Sequence, residues 1–82
     1  AGRLVDLDGI MFHADAIDDA RRRVAVAVLE HGSLTVSDVR NLLGSSRKFV
    51  VPIVNQLDAD GITRRRGDER IPGPTAELFA RE

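Results

Sequence analysis

Residues 33–71 read SLTVSDVRNLLGSSRKFVVPIVNQLDADGITRRRGDERI, and the punctuation of this stretch decides the fold. Thr35 followed by Asp38 makes a Thr-x-x-acid helix start of the capping-box kind. Val36, Val39, Leu42 and Leu43 then give two turns of apolar stripe, closed by Gly44. Ser45 or Ser46 starts a further helix whose stripe is Phe49, Val50, Ile53, Val54 and Leu57, and Gly61 stops it. Pro52 lies inside that helix, where it offers no N–H to the Lys48 carbonyl and is expected to bend or loosen the first turns. Ile62–Arg66, the pair Gly67–Asp68 and Glu69–Ile71 then read as a hairpin.

Working outward, Asp15 is the expected N-cap of a preceding helix, with Asp18 and Asp19 in its first turn. Ile17, Ala20, Val24, Ala27 and Val28 recur at helical spacing, and Gly32 ends the run. The segment Val24–Leu29 also suits a strand, but about 16 unbroken residues capped at both ends favour a helix. Its near-continuous apolar character implies burial on more than one side. Farther upstream, Leu4–Leu7 and Ile10–His13 flank Asp8–Gly9, a pair that favours a type I′ hairpin. Downstream, Pro72, Gly73 and Pro74 break the chain, and Leu78 and Phe79 suggest a short amphipathic turn.

The expected fold is mainly α with a small antiparallel sheet. Helices are predicted over 15–31, 36–43 and 46–60 and a hairpin over 62–71, which together make a winged helix-turn-helix. Three units follow: a β-hairpin over 1–14, the winged helix over 15–71 and a C-terminal tail over 72–82.

Composition sets bounds on function. The chain has 82 residues, 12 Lys+Arg against 13 Asp+Glu, a net charge of −1 and no Cys. This length supports one small domain. Without Cys there are no disulfides, thiolate metal sites or Cys nucleophiles. No apolar run approaches a membrane span, the start lacks a signal-peptide pattern, and a cytoplasmic setting is the default expectation. Neither GxxxxGK[ST] nor GxGxxG occurs, so the chain is expected to be non-catalytic. His13 and His31 stand apart and lack carboxylate neighbours at ligand spacing, so a solvent-facing or capping role suits each better than metal binding.

The basic residues are placed more selectively than the net charge suggests. Arg47 and Lys48 open the third helix, and Arg64, Arg65, Arg66 and Arg70 lie on the hairpin, while Asp58 and Asp60 fall at the far end of that helix. A helix start and a wing pointing the same way would join these cations into one phosphate-binding surface. The competing reading is a solvated wing whose arginines pair with Asp68 and Glu69, and the residues alone leave the two open. Arg21, Arg22 and Arg23 form a second cluster, which Asp18 and Asp19 can neutralise along the helix.

The stretch 33–71 resembles the last winged helix of the selenocysteine-specific elongation factor (SelB) family. The resemblance is carried by Arg40, Leu42, Leu43 and Gly44; by Ser46–Arg47–Lys48 and Pro52; and by Leu57, Asp58, Gly61, Thr63, Arg64, Arg65, Gly67, Asp68 and Arg70. It departs from the family pattern at Phe49, Asn55 and Gln56 and in residues 72–82. The resemblance implies that the module binds the stem-loop of selenoprotein messages that recodes UGA. It assigns RNA contacts to Ser46, Arg47, Lys48, Arg64, Arg65, Arg66 and Arg70. It also implies that residues 4–13 are the wing of a preceding winged helix in a longer chain. Upstream domains of that chain would hold GTP with magnesium and selenocysteinyl-tRNA and work beside the ribosome, with no cofactor in this segment. A monomer is expected. Two alternatives stay open, a duplex-DNA-binding regulator and a module for protein contact alone.

Overall fold

The computed structural model describes residues 2–81. Element order is β1 (Leu4–Leu7), β2 (Ile10–His13), α1 (Ala14–His31), β3 (Leu34–Thr35), α2 (Val36–Leu43), α3 (Arg47–Ala59), β4 (Thr63–Arg66), β5 (Glu69–Pro72) and α4 (Ala76–Ala80). The three main helices and the β4–β5 wing form the winged helix that the capped stripes predict. A two-stranded sheet pairs β1 with β2, and a three-stranded antiparallel sheet has the order β3-β5-β4.

Local chemistry explains the boundaries. Asp8 and Gly9 both adopt positive φ, 54° and 81°, as a type I′ turn demands, and the Gly9 N–H donates to Asp6 Oδ1 at 2.8 Å. β2 runs straight into α1, whose N-cap is His13 and not the expected Asp15. The reason is backbone pairing: Ala14 N–H donates to the Arg3 carbonyl at 2.9 Å, which closes the hairpin and begins the helix together. Asp15 instead sits in the first turn, where it favours the helix dipole. The Thr35–Asp38 capping box is complete, with reciprocal bonds of 2.9 and 3.0 Å. α3 runs unbroken through Pro52, whose ring is buried.

The core lies where α1, α2 and α3 meet beneath the sheet, built on Ile17, Val24, Val28, Val39, Val50, Leu57 and Ile62, each at most 1% exposed. Residues 72–82 are not a tail as expected, insofar as they are described. Pro72 closes β5, and α4 packs on α1 with Ala76 buried in the core and Phe79 and Ala80 against it. The connection is anchored by Gly73 N–H to the Ile62 carbonyl at 2.8 Å, Thr75 N–H to the Gly61 carbonyl at 2.9 Å and the Thr75 hydroxyl to the Asp60 carbonyl at 2.9 Å.

Candidate nucleic-acid interface

Ser46, Arg47 and Lys48 stand at the start of α3, and all three are exposed. Ser46 occupies the N-cap position, yet its hydroxyl makes no capping bond and remains available to a ligand. No acidic residue stands in the first turn of α3, so the positive end of the helix is not offset there. Lys48 Nζ lies 5.7 Å from the centroid of the Phe49 ring, a cation–π contact. Phe49 in turn meets Phe12 of β2 edge to face, with centroids 6.3 Å apart and planes at 88°. The N-terminal hairpin thereby braces the first turn of α3, a role for Phe12 that spacing within the hairpin alone does not reveal.

The wing divides its cations between two faces. Arg65 is paired across the ladder with Arg70, while Arg64 faces Ile71 and Arg66 faces Glu69. Opposed residues share a face and successive ones alternate, so Arg65, Thr63 and Arg70 share one face and Arg64 and Arg66 the other. Arg64, Arg65 and Arg66 are exposed. Arg65 Nε donates to the Gly67 carbonyl at 3.2 Å, beside the turn. Arg66 pairs loosely with Glu69 at 3.8 Å, which realises part of the solvated-wing alternative.

Arg70 departs from its expected role. It is 7% exposed, and its guanidinium lies on Asp58, with Nη2 to Oδ2 at 3.1 Å and Nε to the same oxygen at 3.1 Å. Thr63, 2% exposed, donates its hydroxyl to Asp58 Oδ1. Arg70 is therefore an internal brace and not a surface contact, because a carboxylate sits within reach at the end of α3. The motif contained the signal, Asp58, Thr63 and Arg70 together, but sequence spacing does not say that they converge.

The remaining arginine cluster is neutralised. Arg21 bonds Asp60 at 2.8 Å and Asp18 at 2.7 Å, Arg22 bonds Asp19 at 2.8 Å, and Arg23 bonds Asp19 at 2.9 Å. Burial works against the Arg21 charge, but its bonds and attraction to Asp60 and Asp18 outweigh that and raise its pKa. Among the described residues, Arg47, Lys48, Arg64 and Arg65 make no salt bridge. Arg40, outside the set of expected RNA contacts, is also exposed in the last turn of α2 and makes no salt bridge among the described residues. No group of three His, Cys, Asp or Glu among the described residues is placed to hold a metal. Among the described residues, no helix is long and apolar enough to cross a membrane.

The family model for the winged helix of elongation factor SelB matches residues 28–71, 44 of the 82 residues. The chain belongs to this family. The matched span runs from the last turn of α1 to the penultimate residue of β5, so it contains both cation groups and the Asp58 brace. No match is found among curated proteins. Among solved structures, the chain is similar to the mRNA-binding domain of elongation factor SelB from E. coli, determined in complex with SECIS RNA. The TM-score is 0.73 at 27% identity, over 85% of this chain and 59% of that one. The chain thus spans about three-fifths of the length of that structure's chain.

Proposed function

We propose that this SelB winged helix is an RNA-binding module that grips the SECIS stem-loop of selenoprotein messages and so recruits the factor for UGA recoding. The observation that carries the reading is the selective pairing of charge. Every arginine of the Arg21–Arg23 cluster is held by a carboxylate, whereas Arg47, Lys48, Arg64 and Arg65 are exposed without one among the described residues. The likeness to a SelB domain in complex with SECIS RNA supports the same reading.

In this account Arg47 and Lys48 hold the phosphate backbone, assisted by the Ser46 hydroxyl and the first-turn amides of α3. Arg64 and Arg65 hold it from the wing, and Arg66 adds a weaker contact after giving up Glu69. RNA hairpins expose loop phosphates and splayed bases, which a helix start and a wing can clamp without entering the deep A-form groove. With three Phe and neither Tyr nor Trp, base stacking is a lesser contribution. The module binds and positions; it performs no chemistry and uses no cofactor.

The wider assignment rests on the family resemblance. The hairpin β1–β2 is the wing of a preceding winged helix, and GTP, magnesium and selenocysteinyl-tRNA belong to upstream domains of a cytoplasmic factor working beside the ribosome. The module itself acts as a monomer. The deciding experiment compares binding of the 82-residue chain to the SECIS stem-loop RNA and to a duplex DNA of equal length. Preference for the RNA hairpin is expected. Equal or tighter binding to the duplex would point to a DNA reader, and binding to neither would leave a protein-contact module.

A further inference from the structure

The two cation groups sit on different elements, one at the start of α3 and one on the hairpin after its end. Arg47 and Asp58 are separated by eleven helical steps, roughly 16 Å at the usual rise per residue. Binding one RNA with both groups at once requires the wing to hold a fixed attitude to the helix. The root of the wing is set by Ile62, which is fully buried and donates its N–H to the Leu57 carbonyl at 3.1 Å. Beyond that root, the side-chain hydrogen bonds between α3 and the wing, among the described residues, all end on the Asp58 carboxylate. It accepts from Thr63 at the start of β4 and from Arg70 in β5, one partner on each wing strand. Arg70 lies directly opposite Arg65 in the ladder, and Arg64 lies between Thr63 and Arg65 on the same strand.

We infer that Asp58 is a positioning residue for RNA binding: by gripping Thr63 and Arg70 it fixes the wing against α3 and holds Arg64 and Arg65 in register with Arg47 and Lys48. This rests on the RNA-binding reading above and deepens it. Neither Asp58 nor Arg70 touches the RNA. Their contribution is preorganisation, since a wing free to swing spends part of its binding energy on being ordered. With the wing held, Arg64 and Arg65 meet phosphate from the two faces of one fixed hairpin, at the high effective concentration that tethering supplies.

The test uses the whole chain with the E. coli SECIS RNA as probe, titrated between 50 and 200 mM salt at a temperature where melting curves show each variant folded. Asp58→Asn keeps the side-chain volume and an acceptor for Thr63 but removes the charge facing Arg70. Arg70→Lys keeps the charge but loses the planar fork. Both variants are expected to bind weakly although every proposed phosphate contact is intact. Releasing the two wing contacts corresponds to a loss of roughly 10-fold near 150 mM salt, with a salt slope shallower by more than one contact. Placing Asp58→Asn on an Arg64→Ala/Arg65→Ala background should cost almost nothing further, because the wing contacts are already gone. On an Arg47→Ala/Lys48→Ala background the two losses should multiply.

A merely structural role for Asp58 would not produce that selective coupling. If Asp58→Asn does not fold, Arg70→Lys carries the same cycle. Wild-type affinity and slope in the folded variants would overturn the inference, as would an equal extra loss on both backgrounds. If Arg47→Ala/Lys48→Ala weakens binding and Asp58→Asn does not, the inference fails alone. If the wild-type chain does not bind the RNA, the functional reading fails first and this inference with it.

Discussion

A Cβ placed on Gly73 would lie 2.2 Å from the Gly61 carbonyl oxygen and 3.0 Å from the Ile62 carbonyl carbon. Both obstacles are backbone, so neither can swing aside. Gly73→Ala is therefore expected to cost on the order of 1–3 kcal/mol or more, as overpacking of a tight contact does. Thermal melting checks it, with Gly67→Ala as the comparison: Gly67 has φ of 61° but open space around its Cβ position, so the cost there is limited to about 1–2 kcal/mol of backbone strain. A larger loss at Gly67 than at Gly73 would contradict the close-approach account. In the sequence, Gly73 between two prolines reads only as a chain breaker, because its constraint comes from residues 61 and 62 across the fold. Arg70 was hidden for a related reason. Its place in an Arg-rich hairpin suggests a surface cation, and only the folded register brings it to Asp58, with side-chain exposures of 9% and 26%. Asp58→Ala, which strands that guanidinium, is expected to destabilise the fold by about 2–4 kcal/mol, near the range for breaking a buried pair.

The short helix α4 makes the corresponding case among the elements. Leu78 and Phe79 were visible as an amphipathic turn, but its docking was not, because five helical residues carry too little pattern to name a partner. The folded chain lays α4 on α1, with Ala76 1% exposed and Phe79 against the core, while Leu78 stays 58% exposed. Ending the chain at Gly73 should then cost about 2–3 kcal/mol, the order expected for losing burial of one large and two small apolar side chains. Chemical denaturation of the shortened chain checks it, and unchanged stability would mean that α4 is dispensable. The longer elements were legible to within a residue or two, since each had an apolar stripe and a local stop signal. α1 differs in degree: Val24, Ala25, Ala27 and Val28 are buried as its apolar run implied, yet Val26 and Leu29 remain 37% and 38% exposed.

Across the whole molecule, a net charge of −1 conceals the separation that function needs. Asp18, Asp19, Asp58 and Asp60 are committed to arginine pairs, which leaves the α3 start and the outer wing basic. Ser46, Arg47, Lys48, Arg64, Arg65 and Arg66 lie at exposed positions, whereas Arg70 is drawn inside by Asp58, which a count of charges without the fold does not show. Salt dependence tests the resulting surface most directly. Four phosphate contacts, from Arg47, Lys48, Arg64 and Arg65, imply a slope of log K against log salt of about −3, or roughly a 60-fold loss of affinity between 50 and 200 mM. Arg47→Ala and Arg65→Ala should each flatten that slope by about one contact, whereas Arg22→Ala, paired with Asp19 on α1, should leave it unchanged. The decisive measurement is the slope for SECIS RNA binding by these three variants beside the wild-type chain. A flattened slope at Arg47 and Arg65 but not at Arg22 is the predicted result; equal effects at all three, or none at any, would contradict the clamp.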